Sequence, residues 1–163
     1  MSRGLRHCLV YLPHSYTGRG PAESCARLLA AFPAQGWDVT VHLLRARTPL
    51  PDGIAAAEAA GGLLRHAPFG LIERHARASL DRDFSGAIDR APEGSVAWFW
   101  PNAPVELVRR ARERGIVTVR EMINSPQSLI SFPLRNQAML CVTGLAVVLL
   151  ARSPTLTRRE DPR

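Results

Sequence analysis

Lysine is absent from the 163-residue sequence, so all 21 strongly basic side chains are arginine, and the formal net charge is +7. Together with abundant alanine, this excess of arginine is typical of a GC-rich coding sequence. The arginines are scattered and often adjoin Asp or Glu, whereas a nucleic-acid surface clusters positive charge with aromatic rings. We interpret the charge as solvated surface and expect no nucleic-acid partner.

Cysteine is scarce and unpaired. Cys8, Cys25 and Cys141 are widely spaced and form no C-x-x-C motif, and the first two lie in apolar patterns. They are expected to be reduced, buried thiols of a cytoplasmic protein. The five histidines lack metal-ligand spacing, and no G-x-S-x-G elbow is present. The sequence therefore predicts no metal and no cofactor, and it identifies no catalytic residue.

No apolar run reaches the roughly 20 residues that cross a bilayer. The most apolar stretch, Ala138–Ala151 (AMLCVTGLAVVLLA), falls short of that length and favours a buried element over an anchor. Met1–Val10 has too short an apolar stretch for a secretory signal. We expect a cytoplasmic protein whose C-terminal apolar segment promotes self-association when exposed.

The first 43 residues predict a β-α-β unit. Leu5–Leu12 is nearly continuously apolar and ends at a proline, which favours a buried strand. Gly20 and Pro21 then fit the start of a helix, and Gly36 fits the position just past its end. Trp37–Leu43 alternates apolar and polar residues, which is typical of a second strand.

After Leu43 the sequence again predicts helices and strands in turn. The further predicted elements are short helices at Ile54–Ala60 and Leu71–Leu80, a core strand at Val96–Trp100, a helix started by Asn102 and Pro104 and ended by Gly115, and a strand at Ile116–Val119. Such alternation favours a Rossmann-like α/β domain over residues 5–125, with a parallel sheet flanked by helices. Residues 126–163 are expected to form an irregular tail.

In such a sheet the loops after the strands share one edge, where ligands bind. Four segments are predicted to lie there: Pro13–Gly20, Arg45–Asp52, Pro101–Pro104 and Arg120–Ser125. In the first, Thr17, Gly18, Arg19 and Gly20 favour contact with a ligand, because glycine allows close backbone approach and a helix N-terminus favours negative charge. The motif is not a dinucleotide fingerprint, since Glu23 stands where a third small residue belongs. A plain connecting loop remains the alternative.

Arg120, Glu121 and Asn124 form the second candidate group. They stand where a strand runs out into the same edge and could orient a polar, hydroxyl-rich ligand. A salt-bridged strand end is the alternative. Asp81 and Asp83 spell a D-R-D tripeptide that some sugar-transferring enzymes use for a metal, but the tripeptide is common by chance and lies in a helical segment.

The order of these segments resembles a known family. YLPHSYTGRGPAESCARLLAAFPAQGWDVTVHLL, then WFWPNAP, an arginine-rich helix and GIVTVREMIN look like the N-terminal domain of a retaining nucleotide-sugar glycosyltransferase of the GT-B fold, similar to glycosyltransferase family 4. The resemblance covers roughly Leu5 to Ser125. It implies that Thr17–Gly20 approaches the sugar or its phosphate and that this domain receives a sugar or sugar-phosphate acceptor.

The resemblance also implies a second domain that binds the nucleotide-sugar donor. Residues 1–163 do not supply the basic residues of that second domain. Glu113 and Glu121 match the Glu-x7-Glu spacing of the second domain, but we expect this match to be accidental. A truncated or frameshifted chain, inactive alone, is therefore expected. The alternative is a non-catalytic Rossmann-like module for ligand binding or protein interaction.

Overall fold

The computed structural model describes residues 6–121 and 138–140 of the chain. In chain order the elements are β1 (Arg6–Tyr16), α1 (Pro21–Leu29), β2 (Trp37–Ala46), β3 (Ile54–Glu58), α2 (Phe69–Arg90), β4 (Val96–Phe99), α3 (Val105–Glu113), β5 (Val117–Glu121) and β6 (Ala138–Leu140). Short 3-10 helices occupy Pro33–Gln35 and Gly62–His66.

The strands form one parallel sheet in the order β3-β2-β1-β4-β5-β6. This is the strand order of a Rossmann fold, in which the chain starts at the centre and winds outward in both directions. The predicted fold class, a Rossmann-like α/β domain with a parallel sheet flanked by helices, is confirmed.

The helices cover both faces of the sheet and make two cores. On one face α1 buries Cys25 and Leu29 against apolar side chains of β1, β2 and β4. On the other face α2 and α3 pack together against the sheet, with Phe84 fully buried. Burial on both faces explains why the central strands are nearly continuous apolar runs in the sequence.

β3 corrects one prediction. The alanine-rich segment Ile54–Ala60 was expected to be helical, but Ile54–Glu58 is a strand that pairs with β2 from Val39 to Leu43. Alanine has the highest helix propensity, but intrinsic propensity is a small energy, and pairing along an exposed sheet edge outweighs it here. The Glu58 carboxylate fixes the end of the pairing by accepting a hydrogen bond from the Ala46 N–H at 3.0 Å.

β1 is longer than predicted. It continues through Pro13 to Tyr16, with a shift in its register with β2 between Leu12 and Ser15. Proline lacks an N–H group, so a break in strand pairing is where a buried strand tolerates it. The expected loop Pro13–Gly20 therefore shrinks to residues 17–20.

α2 is also longer than the predicted Leu71–Leu80 and spans 22 residues. Its buried side chains recur every four residues: Ile72, Ala76, Leu80, Phe84 and Ile88. The long helix covers the faces of β1 and β2 that α1 leaves open. α1 starts where it was predicted, after Gly20, and α3 starts directly after Pro104, so that Asn102 lies outside the helix.

Ala138–Leu140 joins the sheet by parallel pairing with β5. The other residues beyond Glu121 lie outside the described part of the chain, including Asn124, Cys141 and most of the apolar segment Ala138–Ala151. Within the described part, no helix is long and apolar enough to cross a membrane.

Candidate functional site

The strand order reverses between β1 and β4, at the centre of the sheet. From β1 the chain turns to α1 on one face, and from β4 it turns to α3 on the other. Such a switch point opens a crevice at the carboxyl ends of the strands, where ligands bind in this fold class. The Trp100 N–H donates a 2.9 Å hydrogen bond to the Tyr11 carbonyl, which holds the two diverging segments together at the base of the crevice.

The turn of residues 17–20 forms one wall of the crevice. Gly18 and Gly20 have φ of 73° and 72°, in the left-handed region that other residues rarely adopt. The Gly20 carbonyl accepts the first hydrogen bonds of α1, from the N–H groups of Glu23 at 3.1 Å and Ser24 at 3.2 Å. The two glycines therefore set the sharp change of direction from strand to helix.

Glu23 already supplies negative charge at the N-terminus of α1. Its carboxylate accepts hydrogen bonds from the Tyr16 hydroxyl and the Arg27 Nε, both at 2.8 Å. The bonds from Arg27 and Tyr16 hold the pKa of Glu23 below its usual range, so the carboxylate is charged. This charge offsets the helix dipole. The wall formed by residues 17–20 thus suits a neutral ligand better than an anion.

Arg120 and Glu121 end β5 but do not act as a charged pair. Neighbouring side chains of a strand point to opposite faces. Glu121 is buried at 8% exposure, and its Oε2 has no hydrogen-bond partner among the described residues. Burial raises the pKa of Glu121 above its usual value, which favours the neutral carboxylic acid.

Two indole groups lie on the same sheet face as Glu121. Trp98 pairs with Val119 across β4 and β5, and the same register continued by two residues sets Trp100 opposite Glu121. Both tryptophans are only 2% exposed. Within the described part of the chain, the Nε1 of each has no hydrogen-bond partner. Two N–H donors and one carboxyl group therefore lie buried and unsatisfied on this sheet face, a set that complements hydroxyl groups.

The buried thiols belong to this face as well. Cys8 and Cys25 are free and buried, as predicted. Burial raises the pKa of each to about 12, and for Cys25 the nearby Cys8 and Glu121 add to the rise. An uncharged thiol is a poor nucleophile, so both cysteines act as core side chains.

A second feature lies at the carboxyl end of β2. Arg45, Ala46, Arg47 and His66 line an open cavity of about 300 Å³. The Arg47 N–H bonds the Tyr16 carbonyl at 2.8 Å, so the cavity adjoins the end of β1. The structure thus brings together two of the four segments that the sequence placed at this edge.

Asp81 and Asp83 have structural partners. The Tyr11 hydroxyl donates to Asp81 at 2.6 Å, and the Ser79 hydroxyl donates to Asp83 at 3.2 Å. Among residues 6–121 and 138–140, no three His, Cys, Asp or Glu side chains are grouped as a metal site would require.

Sequence reasoning placed Gly18, Gly20, Arg45 and Glu121 at this edge but missed Trp98 and Trp100. The tryptophans were assigned to the core, which is correct, yet a core indole normally bonds its N–H group. The period-two alternation that puts Trp98 and Trp100 on one face was visible in the sequence, whereas their placement beside Glu121 depends on the pairing of β4 with β5. The cavity lined by Arg45 could not be predicted from the sequence, because His66 lies beyond β3 in the chain and joins the lining only in the folded protein.

Comparisons with known proteins add little to this geometry. No protein-family model matches the chain, and no curated protein matches its sequence. Among solved structures, the chain is similar to the C-terminal domain (residues 83–215) of the PF1911 hydrogenase from Pyrococcus furiosus, with a TM-score of 0.45 and 12% identity. That similarity covers 72% of this chain and 92% of the other.

Proposed function

We propose that the chain is the acceptor-side domain of a nucleotide-sugar glycosyltransferase, as the resemblance of its sequence implies. In this proposal the crevice between β1 and β4 binds a neutral, hydroxyl-rich acceptor. Residues 17–20 contact it through the backbone, and Glu121 with the Trp98 and Trp100 indoles contacts its hydroxyl groups. Arg120 and Asn124 remain predicted contacts.

One observation carries the proposal: the Glu121 Oε2 is buried and has no hydrogen-bond partner among the described residues. Leaving such a group unsatisfied costs about 1–3 kcal/mol, which a ligand hydroxyl would recover on binding. The two indole N–H groups on the same face add to that gain. A hydroxyl can both donate and accept, so sugar hydroxyl groups can bond both an indole N–H and a carboxyl oxygen.

The same geometry argues for the acceptor and against the donor. A nucleotide sugar carries a diphosphate, and stabilising it as it departs needs preorganised positive charge. Glu23 instead places a charged carboxylate next to residues 17–20, and Glu121 on the other side favours its neutral form, so neither residue supplies positive charge. We therefore expect residues 1–163 to bind the acceptor without transferring sugar, with donor contacts coming from a further domain.

The test compares two leucine variants in titrations with unphosphorylated hexoses, disaccharides and polyols. Glu121→Leu removes the buried carboxyl group and should weaken binding by about tenfold or more, because a site built to bond a hydroxyl loses that bond. Glu113→Leu makes the same replacement at an exposed position on α3 and should bind normally. Equal affinity in both variants, or turnover of a nucleotide sugar by residues 1–163 alone, would contradict the proposal.

The second candidate is a non-catalytic Rossmann-like module that uses the same crevice, since the unsatisfied groups fit a bound ligand in either case. The two candidates differ in the longer protein. If fusion to a donor-binding domain yields sugar transfer that depends on Glu121, the glycosyltransferase proposal stands. Binding without transfer in that fusion would favour the module.

A further inference from the structure

We propose that the cavity at the carboxyl end of β2, lined by Arg45, Ala46, Arg47 and His66, is a separate site for a phosphoryl group. The cavity lies three strand positions from Glu121, since β1 and β4 stand between β2 and β5. At about 4.8 Å between strands, the cavity is roughly 14 Å from Glu121. It adjoins the turn of residues 17–20 through the bond between the Arg47 N–H and the Tyr16 carbonyl, but the inference rests on the lining of the cavity and not on the acceptor proposal.

The lining of the cavity is suited to an anion. Two of its four residues are arginines, the third ionisable residue is a histidine, and none is acidic. Arginine presents a planar set of donors that matches the oxygen atoms of a phosphate. A volume of about 300 Å³ also exceeds what one water needs and accommodates a phosphate monoester.

Arg45 is held rigidly in place. It is 3% exposed, its Nη1 donates to the Ala67 carbonyl at 3.3 Å, and its guanidinium lies 5.3 Å from the centre of the Phe69 ring. A buried cation held by a carbonyl and a ring contributes charge at a fixed position. Such preorganisation lowers the cost of binding, because little freedom is lost when the ligand arrives.

Nearby acidic charge does not cancel this preference. Glu58 is the acidic residue bonded to the lining, and its carboxylate accepts a hydrogen bond from the Ala46 N–H. Counting Arg45, Arg47 and Glu58 leaves one positive charge before His66 is protonated. The α1 N-terminus, by contrast, already carries Glu23. Of these two places at the sheet edge, the cavity is the one suited to a phosphoryl group.

The test is a titration of the full chain with inorganic phosphate, in which the backbone amide signals are monitored by NMR. We expect signals of residues 45–48 and 66–67 to shift. Arg47→Ala removes an exposed side chain of the cavity lining, and it should weaken phosphate binding by about tenfold. Arg109→Ala, an exposed arginine on α3, is the matched control and should bind as the unmodified chain does.

A second arm identifies the source of the phosphoryl group. A hexose 6-phosphate that binds more tightly than inorganic phosphate, while the unphosphorylated hexose leaves the signals of residues 66–67 unchanged, would assign the site to sugar phosphates. Equal affinity of the two phosphates would assign it to the free ion. Equal phosphate affinity in Arg47→Ala and Arg109→Ala, or shifts that avoid residues 45–48, would overturn the proposal and leave the acceptor proposal intact.

Discussion

At the scale of single residues, buried polar groups divide into those with a structural partner and those without. Tyr11 donates to Asp81, and Tyr16 donates to Glu23, so these groups stabilise the fold. Glu121 has a buried oxygen that no described residue satisfies. An unsatisfied buried group lowers stability unless a ligand binds it. Glu121 therefore says more about where a ligand binds than Tyr11 or Tyr16 does.

His42 gives a prediction about pH. Burial against α2 lowers its pKa from 6.5 to about 4, with Asp83 opposing and Arg90 adding to the effect. The unfolded chain therefore binds the extra proton first, so this contribution to stability is complete above about pH 6.5 and is lost as the pH falls through 4. We expect the free energy of unfolding to drop by up to about 3 kcal/mol from this residue alone.

Urea unfolding of His42→Gln at neutral and acidic pH measures that contribution. The variant should lose less stability on acidification than the unmodified chain, because glutamine does not titrate. His75→Gln, the same replacement at an exposed position on α2, should keep the full pH dependence. Identical acid sensitivity in the two variants would show that His42 is not the residue that titrates.

At the scale of elements, α2 holds one face of the sheet. Its stripe of residues spaced by four packs against β1 and β2, and Phe84 lies within 5.1–5.5 Å, ring centre to ring centre, of His42, Tyr11 and Phe99. The longer side chains of the helix are mostly polar or exposed. Stability therefore depends on a few residues of α2 and little on the others.

Leu80→Ala and Leu71→Ala test this dependence on buried residues, because they make the same replacement at a buried and at an exposed position of α2. Leu80 is 1% exposed, and its truncation should cost about 2–5 kcal/mol because it leaves a cavity in the core. Leu71 is 82% exposed, and its truncation should change stability by less than about 0.5 kcal/mol. Denaturant unfolding of both variants gives the difference, and similar losses would contradict the assigned packing of α2.

The elements also show what the sequence could predict. The starts of α1 and α3 followed from Gly20, Pro21 and Pro104, because helix boundaries are set by local backbone preferences. β3 could not be predicted from its alanines, since its structure comes from pairing with β2. The extension of β1 past Pro13 likewise depends on a register shift that involves a neighbouring strand.

At the scale of the whole molecule, the strand order 3-2-1-4-5-6 determines where a ligand can bind. The sequence predicted that residues 17–20 and the end of β5 would share one edge of the sheet. It could not show that Glu121 faces α1 together with Trp98 and Trp100, or that Arg45 and His66 share a cavity, because both depend on how separate elements pack. Site chemistry in this chain is thus a property of the assembled sheet.

The central claim, a hydroxyl-binding crevice at the switch point, is tested most directly by the three tryptophan indole N–H signals in NMR. Trp100 follows β4 at the crevice end of the sheet, whereas Trp37 begins β2 at the opposite end and packs against Arg6 and Phe32, so it is an internal control; Trp98 also packs against Phe32. Titration with unphosphorylated sugars and polyols should shift the Trp100 signal, with a smaller shift for Trp98 and none for Trp37. An unmoved Trp100 across the whole panel, or a shift confined to Trp37, would contradict the account.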